Sequence, residues 1–196
     1  MDESSDLFRI EHENFKPEKG KVLIAEPFLE GKYFKRSIVL LAEYNEDGAV
    51  GFVLNKPINL SVDEVLVNIS HFDGDVFIGG PVDTNRIYYI HTIPDLVPNS
   101  IPIVDNLYWG GDFAVLKDLM VRDSILPHQI RFFVGYSGWS AGQLQDEIHG
   151  NSWLVSTLNV NEIMSPDIEK LWEKSLRQMG GKYRMWANFP ENPSMN

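Results

Sequence analysis

The chain has 196 residues, no cysteine, and 28 acidic against 17 basic side chains, for a formal charge of −11. A 43% hydrophobic and 23% charged composition excludes wholesale disorder, and the length suits one domain with an ample core. The missing thiols exclude a disulfide scaffold, thiol catalysis and thiolate zinc sites, while the acidity argues against a broad phosphate-binding surface.

Residues 1–19 read as an acidic arm, with Asp2, Glu3, Asp6, Glu11, Glu13 and Glu18 against Arg9, Lys16 and Lys19. The arm is either frayed or docked through Leu7, Phe8, Ile10 and Phe15. Its start is acidic where a signal peptide is basic, and the apolar run at 38–42 falls far short of the ~20 residues of a membrane helix. A cytoplasmic chain with no membrane span is the expectation, with residues 20–196 forming a single body.

In that body, residues 22–25 and 37–42 read as buried strands. The second turns back through Asn45-Glu46-Asp47-Gly48 into a strand at 49–54, with Asp47-Gly48 as the hairpin signal. Ser61 and Glu64 form a capping box that opens a helix. Strands follow at 76–78 and 87–90. Asp112 then caps a helix with Phe113, Leu116 and Met120 on one face. Residues 130–134 make a strand, and Ser140 with Gln143 a second capping box. The helix it opens runs to His149 and stops at a left-handed Gly150. A strand at 153–155 precedes a last helix that starts at Ser165-Pro166 and runs through Ile168, Leu171, Trp172, Leu176 and Met179. Hairpin-spaced strands mixed with isolated helices predict an α+β fold.

The stretch Gly135-Tyr136-Ser137-Gly138-Trp139-Ser140 sits at a strand-to-helix junction, the setting of a hydrolase nucleophile elbow. Gly135 satisfies the small-residue rule two before the serine, but Trp139 breaks it two after. The preferred reading is a glycine-rich turn that lets Trp139 pack inward. Gly79-Gly80-Pro81 after a strand permits close backbone approach to a ligand or to another segment, and no phosphate loop or dinucleotide fingerprint occurs. Gly110-Gly111-Asp112 reads as a helix cap, because the acid occupies the place of a phosphate. His91 ends a strand beside the Gly-Gly-Pro turn, a common position for a site. The turn 71–75, with His71, Asp73 and Asp75, is read as solvated rather than metal-binding. Asn55 and Pro57 form a structural turn that leaves the charge of Lys56 unassigned.

These motifs, in order, resemble the bacterial AlgH/YqgE family: residues 21–27, 34–41 and 48–57, then Gly79-Gly80-Pro81-Val82, His91, Gly110-Gly111-Asp112-Phe113, and 135–139 through 142–144. A family-like tail lies at 180–183 and 188–190. The resemblance covers roughly residues 20–155. It implies a bent, bifurcated mixed or antiparallel sheet forming a pseudo-barrel flanked by helices. Members are labelled transcriptional regulators without established catalytic residues, and Ala stands at the place of Ser137 in some look-alikes.

The leading expectation is a non-enzymatic regulatory protein that acts through a protein partner or small ligand, with no cofactor or metal and no direct nucleic-acid contact. Its candidate site comprises Asn55, Lys56, Gly79, Gly80, Pro81, His91, Tyr136, Ser137, Trp139 and Gln143. The alternative is a hydrolase with its site near 79–82, His91 and 135–143. A structural protein that oligomerises through strand edges or the arm is a third.

Overall fold

The computed structural model describes residues 9–10, 16–66, 69 and 72–190. Its strands are β1 (Val22–Ala25), β2 (Ile38–Asn45), β3 (Gly48–Val53), β4 (Pro57–Ser61), β5 (Asp75–Ile78), β6 (Val82–His91), β7 (Ile101–Val104), β8 (Leu107–Trp109), β9 (Ile130–Ser140) and β10 (Trp153–Ser156). Its helices are α1 (Val62–Val65), α2 (Phe113–Val121), α3 (Gln143–His149), α4 (Val160–Ile163), α5 (Leu171–Met179) and α6 (Gly181–Trp186).

All ten strands join one sheet, whose main path runs β10-β1-β2-β3-β9-β6-β8-β7. The long strand β9 is where it forks. One edge of β9 pairs with β6. The other edge takes β5 in parallel at Phe132, Phe133 and Val134, then β3 in antiparallel from Ser137 to Ser140. β4 hangs from β5. At the far end, β7 curls back until Val104 Cβ lies 2.8 Å from the place a Cβ on Gly20 would take. Gly20 itself donates to Leu41 O of β2. β7 pairs only with β8 among the described strands, so the sheet bends toward a barrel without closing. The fold is α+β, as expected.

Strand alternation sorts the core into three clusters, since successive side chains point to opposite faces. Ile24 and Phe133 join Phe52, Phe77, Trp172 and Trp186 beneath the C-terminal helices. Phe132 joins Val76, Tyr89, Leu116 and Met120. Leu23 joins Trp139, Leu144 and Trp153 under α3. Each fully buried aromatic or aliphatic side chain contributes about 1.5–3 kcal/mol. Ile10 also reaches the first cluster, and its N–H donates to Asn151 Oδ1 at 2.9 Å. Leu7, Phe8 and Phe15 lie outside the described residues.

Several boundaries differ from the sequence reading. The hairpin pairs Asn45 with Gly48, so Glu46-Asp47 are its central residues and Gly48 takes the positive φ of 140°. The stretch 135–140 is strand, not turn, because β3 supplies a pairing partner that local propensity does not reveal. α3 stops with Gly150 at φ −74°, and Asn151 at φ 62° is left-handed instead. The helix expected from Ser165 begins at Leu171, as α5, and is followed by α6 rather than being the last. Ser165 O and Ile163 O accept hydrogen bonds from Arg131, which takes the Ser165 carbonyl out of helical use. β4, β7, β8, α4 and α6 carried no recognised signal. Asp112 caps α2 as expected, accepting from the Ala114 and Val115 N–H groups at 3.0 and 3.2 Å.

Candidate functional site

At the fork of the sheet the chain needs backbones closer than side chains permit. Gly79 N–H donates to Val134 O of β9, and Gly79 O accepts from Val53 N–H of β3, both at 2.9 Å. A Cβ on Gly79 would lie 2.2 Å from Gly135 O, and one on Gly80 would lie 2.4 Å from Ser137 Oγ. Gly135 bends β9 at φ 68°. Ser137 is 0% exposed, and its hydroxyl donates to the same Gly79 O at 3.0 Å. These residues form a filled seam between β3, β5 and β9, with Pro81 leading out of it on the exposed side. Tyr136 is half-buried and meets the Tyr88 ring edge-on at 5.4 Å. The Tyr88 hydroxyl donates to Asp83 at 2.8 Å; burial first, then that bond, raises its pKa.

Trp139 and Gln143 belong to a second cluster, on the α3 side. Glu147 Oε2 accepts from Trp139 Nε1 at 2.9 Å and from Trp153 Nε1 at 2.8 Å. Glu147 Oε1 accepts from Gln143 Nε2 at 3.0 Å. Phe34 closes the group, stacked on Trp139 and edge-on to Trp153. One carboxylate thus satisfies two indoles, the usual requirement for burying tryptophan. Glu147 carried no signal beyond its position four residues after Gln143.

Asn55 is a backbone bridge: its Oδ1 accepts from Ile38 N–H and its Nδ2 donates to Arg36 O, both at 2.9 Å. It holds the left-handed Arg36, at φ 51°, against the end of β3. The neighbouring Lys56 carbonyl accepts from Ile78 N–H at 2.9 Å.

His91 stands apart from all of these. It pairs with Ile130 at the start of β9, whereas Ser137 lies seven residues further along that strand, about 20 Å away at ~3.3 Å per residue. The sequence-based alternative of one site spanning His91 and 135–143 therefore does not assemble. His91 is 0% exposed. Its Nε2 faces Gly110 O at 3.1 Å and Ser100 Oγ at 3.0 Å, and its Nδ1 accepts from Ile93 N–H at 3.3 Å. Burial holds its pKa below the usual imidazole value, against the opposing bond to Gly110. Nearby, the Tyr89 hydroxyl donates to Gly111 O at 3.0 Å, and burial pushes its pKa up to about 12.

A cleft beside the start of β9 contains none of the predicted residues. It measures about 200 Å³ and is lined by Asp73, Asp75, His128, Arg131, Met164 and Pro166, among others. Arg131 is 7% exposed. Its guanidinium lies over the Phe77 ring at 4.7 Å and donates to Ile163 O at 2.5 Å and to Ser165 O at 2.7 Å. Burial lowers its pKa to about 10, with Asp75 acting in the opposite sense. The signal was present in the sequence: Arg131 is the one charge inside the apolar run 130–134. His71 lies outside the described residues, and among those described no group of three or more His, Asp or Glu is placed to hold a metal ion.

No helix among the described residues is long and apolar enough to cross a membrane. A UPF0301 protein of Parabacteroides distasonis is 41% identical over 192 residues, covering 97% of both chains. A UPF0301 protein of Bacteroides fragilis is 38% identical over 197 residues, covering 100% of both. Among solved structures, the AlgH protein from Pseudomonas aeruginosa matches with a TM-score of 0.68 at 26% identity, over 89% of this chain and 96% of that one. Protein DIP2367 from Corynebacterium diphtheriae matches with a TM-score of 0.74 at 23% identity, over 89% and 93%, a likeness of fold. The family model described as AlgH-like matches residues 22–184, and the chain belongs to the AlgH-like family.

Proposed function

We propose that the chain is a non-enzymatic protein of the cytoplasm that acts in regulation through a protein partner or small ligand, without itself contacting nucleic acid. The observation that carries this reading is the state of its two most chemically capable side chains. Ser137 on β9 and His91 on β6 are both 0% exposed, far apart in the sheet, and hydrogen-bonded to backbone carbonyls. A nucleophile and its base must instead meet each other and a substrate. The lack of cysteine fits a reducing compartment, and a charge of −11 opposes phosphate contact.

The test is genetic. Deleting the gene in its host should alter the transcript profile, and wild type and Ser137→Ala should restore it equally. An unchanged profile on deletion, or a folded Ser137→Ala that fails to restore it, would overturn the reading.

A hydrolase reading has one observation in its favour, the 3.0 Å approach of Ser100 Oγ to His91 Nε2. The protons run against it. Nδ1 accepts from Ile93 N–H, so Nε2 carries the ring proton, and the Ser100 hydroxyl donates to Val97 O at 2.6 Å. A general base for Ser100 needs a bare nitrogen facing it. Turnover of a p-nitrophenyl ester by wild type, lost in Ser100→Ala, would establish the hydrolase.

A further inference from the structure

The Arg131 cleft has a charge arrangement that packing alone does not call for. Arg131 sits at its inner wall, 7% exposed, and no carboxylate lies within ion-pair distance of it among the described residues. Two of the five guanidinium N–H groups are used, on Ile163 O and Ser165 O; the other three have no acceptor among the described residues. Arg131 Nε is not sealed from water, and an incoming carboxylate would replace that water with a charge-assisted hydrogen bond. Asp73 and Asp75 are exposed at the mouth of the same cleft, and neither forms an ion pair among the described residues. A purely anionic ligand would have to pass both acids. Met164 and Pro166 give the space between an apolar wall. At about 200 Å³, the cleft is below the ~300–1,000 Å³ of drug-sized sites, so a nucleotide is too large for it.

We propose that this cleft binds a small α-amino acid as its zwitterion, with the carboxylate on the inward Arg131 guanidinium and the ammonium between Asp73 and Asp75. Arg131 offers the planar donor fork that matches a carboxylate, and the two rim acids select for a cation at the other end. The apolar wall leaves room for a short side chain and excludes a long one. This deepens the regulatory reading by naming the ligand class of a binding protein, and it rests on that reading.

Isothermal titration of the full chain with L-alanine, acetate and ethylamine tests it. L-alanine should bind saturably, at least tenfold tighter than acetate or ethylamine. Asp73→Asn combined with Asp75→Asn, both at exposed positions, should weaken L-alanine at least tenfold and leave acetate equal or tighter. Arg131→Lys, which keeps the charge but loses the fork, should weaken L-alanine and acetate together. The proposal is overturned if L-alanine gives no saturable heat up to about 10 mM, ten times a millimolar Kd. It is overturned equally if acetate binds as tightly as L-alanine, or if the double rim variant binds L-alanine like wild type. Restoration of the transcript profile by Ser137→Ala alongside a silent titration would retain the regulatory reading and remove this one.

Discussion

Glu147 carries more of the fold than its position on a surface helix indicates. Its Oε2 is shared by the Trp139 and Trp153 indoles, at 2.9 and 2.8 Å, and hydrogen bonds to a charged group contribute about 1.5–3 kcal/mol each. Glu147→Ala should therefore destabilise the chain by about 3 kcal/mol in urea unfolding and red-shift the tryptophan fluorescence. Glu147→Gln, which keeps an acceptor oxygen without the charge, should cost about half as much. Equal, negligible losses would show that the indoles do not depend on this carboxylate. At this scale the sequence was partly legible. The cap role of Asp112 followed from an acid placed before a helical stripe, and the inward packing of Trp139 from its apolar bulk. The role of Glu147 was hidden because its partners come from β9 and β10, and their approach depends on tertiary structure. Ser137 drew attention as a nucleophile by its flanking glycines, yet those glycines serve the contact between β9 and the 79–80 segment.

Among the elements, β9 governs the architecture, because it changes partner from β5 to β3 along one edge. The crossover point is the seam of Gly79, Gly80 and Gly135. Gly80→Ala would place a Cβ 2.4 Å from Ser137 Oγ and from the Tyr136 backbone, an overlap that cannot relax cheaply, so it should cost about 3 kcal/mol or more. Gly142→Ala is the control. That position has open space around it at φ 79°, so only the left-handed backbone penalty of about 1–2 kcal/mol applies. Chemical denaturation of the two variants separates crowding from backbone strain; similar losses would contradict the seam. Residues 130–134 were legible as a strand from their apolar run, whereas 135–140 were not, because glycine-rich sequence reads as turn until a neighbouring strand is known. The helix expected from Ser165 failed for a related reason, since Arg131 claims the carbonyl that would have continued it.

Over the whole molecule, stability should depend on pH through His91. Its folded-state pKa lies below the ordinary 6.5, so the unfolded chain binds the proton more readily. The stability from neutral burial is fully present above about pH 7, falls as pH drops below 6.5, and levels off beneath the folded-state value, with a slope of at most about 1.4 kcal/mol per pH unit. Unfolding at pH 7.5 and 5.5 should show a larger loss for wild type than for His91→Gln, whose amide can still donate to Gly110 O. Identical losses would mean that His91 is not the group responsible. The charge of −11, legible from the first count of residues, bears on partners in the same global way. It leaves Arg131 as a buried cation facing carboxylates, which composition alone could not locate.

The glycine-flanked Ser137 and the buried His91 are packed structure rather than catalytic groups. Intact-mass spectrometry of the native chain after treatment with a serine-reactive fluorophosphonate distinguishes the two roles. No adduct should form at Ser137 or at Ser100, and a stoichiometric adduct at either residue would show a reactive serine instead.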